Sequence, residues 1–259
     1  MFRLLRLLKW ALIGGAIIAA ALYITSEGRS KTVLDPVGVE AIEQIVKDYL
    51  LANPELIEKA LAGLEVRRVA EKKQRQHDSI VASYDELYDD PGSHITGNLD
   101  GDVTVVEFFD YRCSYCKRVF STVRALMNSD ANLRLVYKEF PILGPQSTYA
   151  SRFALSARKI DPDKYVALHN GMMKVAGGLD RAAVFAVAAE LGFEPETVEA
   201  GMGAADISAT LDANYRLAER LGVGGTPAFI IGDQMVPGAV SLERFAAIIE
   251  ETRTGCATC

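Results

Sequence analysis

The sequence lacks a surplus of basic charge. Its 28 lysines and arginines stand against 34 aspartates and glutamates, a formal charge of −6. That argues against a general nucleic-acid binder, which presents a basic surface to phosphate. Histidine is scarce as well. His77, His94 and His169 are scattered, and none stands at ligand spacing from a cysteine, which weakens a zinc reading. Internal repeats and low-complexity tracts are missing. Long apolar runs are few too: Trp10 to Ile24 is free of charge, but that is short for a full span of roughly 20 residues, although Leu7 and Leu8 extend it past Lys9.

What is there begins with that run. Arg3, Arg6 and Lys9 form a positive flank before it, the pattern of an exported chain. The alanines up to Ala21 offer a cleavage point, and Leu22 to Ile24 favour an uncleaved anchor. The basic flank stays on the cytoplasmic side in either case. Residues 1–30 are therefore expected to be a signal peptide or membrane anchor. The rest of the chain is expected in the periplasm, with the N-terminal segment as its tether to the inner membrane if it is kept.

Residues 31–88 are expected to form a helical stalk. Asp35-Pro36 reads as an N-cap followed by a first helical residue, and Asn53-Pro54 repeats the signal. This predicts two consecutive helices with a break near Asn53, the second running to about residue 88. Val39, Ile42, Val46 and Tyr49 follow a 3-4-3 spacing, which Leu56 and Ala60 continue across the break. Such a seam serves either self-association or packing on the chain's own domain. The mixed-charge run that follows reads as a solvated helix face. Asp89-Asp90-Pro91-Gly92 is a turn cluster and marks the expected boundary of a second domain, 89–259.

That second domain predicts an edge strand near residues 93–98 and buried strands at 103–109 and 133–139. Helical spacing fills about 146–222. "GTPAFIIGDQMVPG" reads as strand, turn, strand, and a closing helix follows with Ser241 as its N-cap. The four cysteines form two C-x-x-C pairs, Cys113/Cys116 and Cys256/Cys259. Export permits disulfides. Cys113 and Cys116 stand where an apolar strand gives way to a helix. A redox pair, half of a metal site and a local staple are all open readings of the spacing alone. The position favours the first. Cys113 would meet the free N–H groups of the helix, where partial positive charge stabilises thiolate, while Cys116 is shielded one turn in. The two thiolates would also suit Cu(I), the runner-up reading. An adhesion protein with inert disulfides does not explain the placement. Cys256/Cys259 has no helix after it and reads as a small disulfide or flexible thiol pair, with a regulatory or metal-relay pair as the alternative.

Three stretches in order, "EFFDYRCSYCKR", "KEFPILGPQS" and "GVGGTPAFIIG", resemble the DsbA-like thiol-disulfide oxidoreductases. The resemblance runs from about residue 93 to 253. It implies an α/β class, a thioredoxin-like fold with an inserted helical domain, preceded here by the helical stalk. "VKDYLLANPE" resembles the stalk of ScsC-like members, several of which trimerise and shuffle disulfides. The resemblance implies that Cys113 is the nucleophile and Cys116 the resolving cysteine. It makes Thr226-Pro227 the cis-proline loop facing the sulfurs, with the Thr226 backbone free to pair with a substrate strand. It makes Glu107 a buried acid that takes or relays the proton of Cys116. Lys138, on the neighbouring strand, is its expected partner by position. Ser114-Tyr115 departs from the Pro-His of strongly oxidising members, which implies a less oxidising disulfide. The implied activity is protein-disulfide oxidoreductase or isomerase, with no cofactor and no metal. Its implied partners are substrate proteins, a membrane redox partner and, through the stalk, further copies of the chain as a trimer; no nucleic acid is among them.

Overall fold

A computed structural model describes residues 36–255. The expected signal or anchor, the Asp35 cap and the Cys256/Cys259 pair lie outside them. Among the described residues no helix is long and apolar enough to cross a membrane.

The first helix, α1, spans Pro36–Ala52, and α2 spans Glu55–Ala82. The break falls at Asn53-Pro54 for a local reason. Pro54 has no N–H to continue the ladder, and the Asn53 side-chain amide donates to the Tyr49 carbonyl at 2.8 Å. Contacts divide the chain into two compact units, at Arg67/Arg68 within α2 and upstream of the Asp89–Gly92 turn. In the first unit Val39, Ile42, Val46, Tyr49 and Leu56 remain exposed, Tyr49 to 59%.

The second unit opens with the rest of α2 and a separate short helix, α3 (Tyr84–Tyr88), so the expected long second helix stops at Ala82. Ile80, Leu87 and Tyr88 are buried in this unit's core. Five strands follow: β1 His94–Gly97, β2 Val103–Phe109, β3 Leu133–Glu139, β4 Ala228–Ile231 and β5 Gln234–Pro237. They form one sheet in the order β1-β3-β2-β4-β5. Only the β2·β3 pair is parallel, and α4 (Ser114–Ser129) makes the crossover that a parallel pair requires. Between β3 and β4 lie α5 (Pro145–Ile160), a 3-10 turn at Pro162–Lys164, α6 (Tyr165–Lys174), α7 (Arg181–Glu190), α8 (Pro195–Gly201) and α9 (Ala205–Leu221). The last helix, α10, spans Leu242–Thr254, and the Ser241 hydroxyl caps it by accepting from the Arg244 N–H at 3.3 Å.

Strands β2 and β3 are apolar on both faces because both faces are covered. Val105, Phe109 and Leu135 face α4, α10 and the inserted helices. There they meet Val119, Phe245 and Phe153. Val106, Phe108 and Val136 face the other way, toward Leu87, Leu217 and Leu221. This alternation overturns the expected Glu107–Lys138 pair. Register sets Glu107 beside Tyr137 and Lys138 beside Phe108, so the two side chains leave the sheet on opposite faces. Lys138 instead donates to Asp90 at 2.8 Å and to the Glu86 carbonyl at 2.5 Å.

Candidate active site

Strand β2 ends at Phe109, and the chain turns through Asp110-Tyr111-Arg112 into α4. That turn is tightly held. The Cys113 N–H donates to the Asp110 carbonyl at 3.0 Å. The Asp110 carboxylate accepts from the backbone N–H of Arg112 at 2.7 Å and of Leu143 at 3.0 Å. Cys113 is therefore the N-cap residue of α4, and Cys116 sits one turn inside. Cys113 keeps 6% of its surface exposed and Cys116 none. Both are free thiols.

The Thr226-Pro227 peptide bond is cis, as the resemblance implied. The loop reaches the sulfurs: the Cys113 thiol donates to the Thr226 carbonyl at 3.1 Å. The Pro227 carbonyl is already taken, by the Gly238 N–H at 2.8 Å. The fold thus gathers Cys113, Cys116 and Thr226-Pro227 from the start of α4 and the start of β4, about 110 residues apart in the chain.

The two thiols are electrostatically unlike. Hydrogen bonding from the Cys116 thiol, then from the Thr226 side chain and the N–H groups of Cys116 and Tyr115, lowers Cys113 from 9.0 to about 5, against an opposing burial effect. The same thiol–thiol hydrogen bond pushes Cys116 far above the usual thiol range. Burial and the charge of Glu107 add to that. A negative sulfur is thus stabilised at the helix N-terminus while its neighbour keeps the proton. The Cys116 thiol, Thr226 and the first N–H groups of the helix supply this without the histidine that Ser114-Tyr115 lacks.

Glu107 lies on the α4 face of β2, 3% exposed, and burial raises its carboxyl to about 8. Near neutral pH it is therefore mostly protonated. When ionised, it pushes the Cys116 thiol up. Tyr115 is exposed on the outer rim, with the Arg118 guanidinium 4.8 Å above its ring.

Sequence reasoning missed a second buried carboxyl. Glu139 ends β3 and accepts from the Tyr111 hydroxyl at 3.0 Å, the Tyr165 hydroxyl at 2.8 Å and the Ser151 hydroxyl at 2.7 Å. It ties the active-site turn to α5 and α6, and burial raises it to about 8. The available signal was a charge following an apolar strand within "YKEFP". Two of the scattered histidines converge beside this network. His94 stacks on Tyr165 at 4.5 Å, and buried His169 lies 4.5 Å from the Tyr137 ring. Burial lowers His169 to about 3, so it is neutral.

Residues 104–250 match the DSBA-like thioredoxin domain. The chain belongs to that family. Residues 39–71 match the N-terminal domain of the copper resistance protein ScsC. Among solved structures, a DSBA-like family member's fold is shared by a thioredoxin-like oxidoreductase from Silicibacter pomeroyi DSS-3. It is 40% identical, with a TM-score of 0.64, over 66% of this chain and 98% of that one. Proteus mirabilis ScsC in a transitional conformation is 30% identical, with a TM-score of 0.63, over 88% of this chain and all of that one, 100%. Among curated proteins, the Na(+)/H(+) antiporter NhaA 1 of Salinispora arenicola is 26% identical over 168 residues. The chain spans about a quarter of the length of the first curated relatives it matches.

Proposed function

We propose that this DSBA-like protein is a periplasmic protein thiol-disulfide oxidoreductase that donates and shuffles disulfides. The observation that carries the reading is the asymmetry of the pair, with the outer thiol lowered to about 5 and the inner one raised. Stabilising the Cys113 thiolate stabilises the reduced protein, which makes the disulfide form an oxidant. The outer sulfur is less acidified than the most oxidising members of its class, at about 3.5.

A substrate thiolate attacks Cys113 of the oxidised pair. The substrate–Cys113 bond forms, the Cys113–Cys116 bond breaks, and Cys116 leaves with the electron pair. Protonated Glu107 supplies the proton that Cys116 then holds. A second substrate thiolate attacks the substrate sulfur of the mixed disulfide. The substrate leaves oxidised, and Cys113 leaves as a stabilised thiolate. A membrane redox partner withdraws the two electrons to restore the pair. The Thr226 carbonyl beside Cys113 offers the substrate backbone an acceptor once the thiol no longer uses it.

The exposed stripe on α1 and the start of α2 supports assembly of several copies, with a trimer as the expected state. An amphipathic helix of this length is marginal alone in water and needs a surface to cover its stripe. Several Cys113 sites around one substrate would let a wrong disulfide be reduced at one and remade at another. The test is a redox titration of the full chain with Cys113→Ser as control, together with scrambled-ribonuclease reactivation. The expected result is a potential between those of thioredoxin and DsbA, near −270 and −120 mV, and reactivation that the control lacks. Failure to reactivate with intact oxidation of reduced substrates would leave an oxidase only. The Cu(I) reading is favoured only by the ScsC match at 39–71, away from the cysteines. It gains if Cu(I) binding requires both thiols and exchange is absent.

A further inference from the structure

The rim of the cysteine pair carries three cations and almost no anion. Arg112, Lys117 and Arg118 flank Cys113 and Cys116, and α4 has no acidic residue in its first turn. Cations at a helix N-terminus oppose the dipole, where acids are the favoured residues. Elsewhere in the same unit some arginines meet carboxylates, Arg134 with Asp89, Arg181 with Glu199, Arg220 with Glu86 and Arg253 with Asp102, while others, such as Arg124 on the Phe120 ring and Arg158 on backbone carbonyls, have neutral partners. None of the three rim cations has such a pair among the described residues. Their partners are neutral. Arg112 donates to the Leu143 carbonyl at 3.0 Å, Lys117 to the Val175 carbonyl at 2.6 Å, and Arg118 stacks on Tyr115. Burial, and then the charge of Arg112, hold Lys117 below its ordinary range, so two of the cations also repel each other. The nearest carboxylate along the chain, Asp110, is fully buried and engaged by two backbone N–H groups.

The third cation faces the place where a substrate would lie. Arg118 and Tyr115 form one wall of a groove of ≈ 530 Å³ whose other wall is Thr226, Pro227 and Gly238. No acidic residue lines that groove. A strand pairing with Thr226 would run along it, carrying the residues next to its cysteine past the guanidinium. On a chain with a net charge of −6 this positive collar stands against its surroundings.

We infer that Arg118, supported by Arg112 and Lys117, selects polypeptide segments that carry a carboxylate next to the reacting cysteine. The inference rests on the exchange chemistry proposed above and names its substrate class. Its test uses the full chain with Cys116→Ser, so that the mixed disulfide persists. Three matched peptides carry Glu, Gln or Lys beside a cysteine capped with thionitrobenzoate. The Cys113 thiolate attacks the peptide sulfur, the new disulfide forms, and thionitrobenzoate leaves as its coloured thiolate. Release is timed by absorbance, and the adduct is confirmed by mass. The Glu peptide is expected to react about fivefold faster than the Lys peptide, the scale of one or two exposed charge pairs. The ratio should fall toward one as salt is raised and should invert in Arg118→Glu. Equal rates for the three peptides, or an unchanged ratio in Arg118→Glu, would overturn the inference and leave the exchange chemistry standing. No reaction with any peptide would overturn both.

Discussion

The helices before Arg67 and the unit after it handle apolar surface in opposite ways. In the first, Ile45, Leu51 and Leu61 are each at least 60% exposed; in the second, Phe108, Phe109 and Phe229 are fully buried. The second unit holds the site within its own core, where Cys113 and Cys116 pack with residues of β2, β3 and β4. The first unit leaves its apolar stripe exposed, and the assembly proposed above would cover it. Chemistry and assembly should therefore be separable by mutation.

The largest expected effect tests that division directly. Cys113→Ser should lower exchange activity by at least about a thousandfold, since no nucleophile remains, while mass in solution stays unchanged. Loss of assembly in that variant would break the division. Next comes deletion of residues 1–67. It should bring the protein to a monomer that still exchanges small disulfides, with scrambled-ribonuclease reactivation reduced several-fold. An unchanged mass would place the interface in the catalytic unit.

Glu107→Gln sharpens the comparison inside the site. It keeps the shape and removes the titrating group whose charge acts on Cys116. Formation of the mixed disulfide from the oxidised pair should slow about a hundredfold near neutral pH, at the low end of acid–base contributions, and the pH dependence near 8 should disappear. A slowing that keeps that pH dependence would make Glu107 a packing residue only.

Stability should also follow the site's ionisations. Cys113 is depressed from 9.0 to about 5, so its contribution to the reduced protein is fully present above 9 and is lost as pH falls through 5. Glu139 is raised from 4.5 to about 8, so its contribution is fully present below 4.5 and is lost as pH rises through 8. Chemical denaturation across this range should show the reduced wild type gaining on Cys113→Ala as pH rises. Glu139→Gln should flatten the alkaline decline. The smallest effect is Ser241→Ala, which removes one helix cap and should cost about 1 kcal/mol in the catalytic unit alone.

The strands were the most legible part of the chain. β2 and β3 were read at 103–109 and 133–139 and are found there, because a strand covered on both faces shows as an unbroken apolar run. The cysteines and the Thr226-Pro227 loop could be placed from local pattern and resemblance. Three features were not legible, each for a geometric reason. The unit boundary at Arg67/Arg68 falls inside a continuous helix, so no turn residue announces it. Lys138 was paired with Glu107 by neighbourhood, but one step of strand alternation sends it to Asp90. Glu139 draws its partners from 12, 26 and 28 residues away, a distance that no local spacing encodes.

The outer thiol should ionise far below the inner one, and this can be read on the reduced full chain. Thiolate absorbance should rise with a midpoint near pH 5, where Cys113 is lowered. Alkylation at pH 7 should label Cys113 and spare Cys116. A midpoint near 8.5, the value of a free cysteine, or faster labelling of Cys116, would contradict the account.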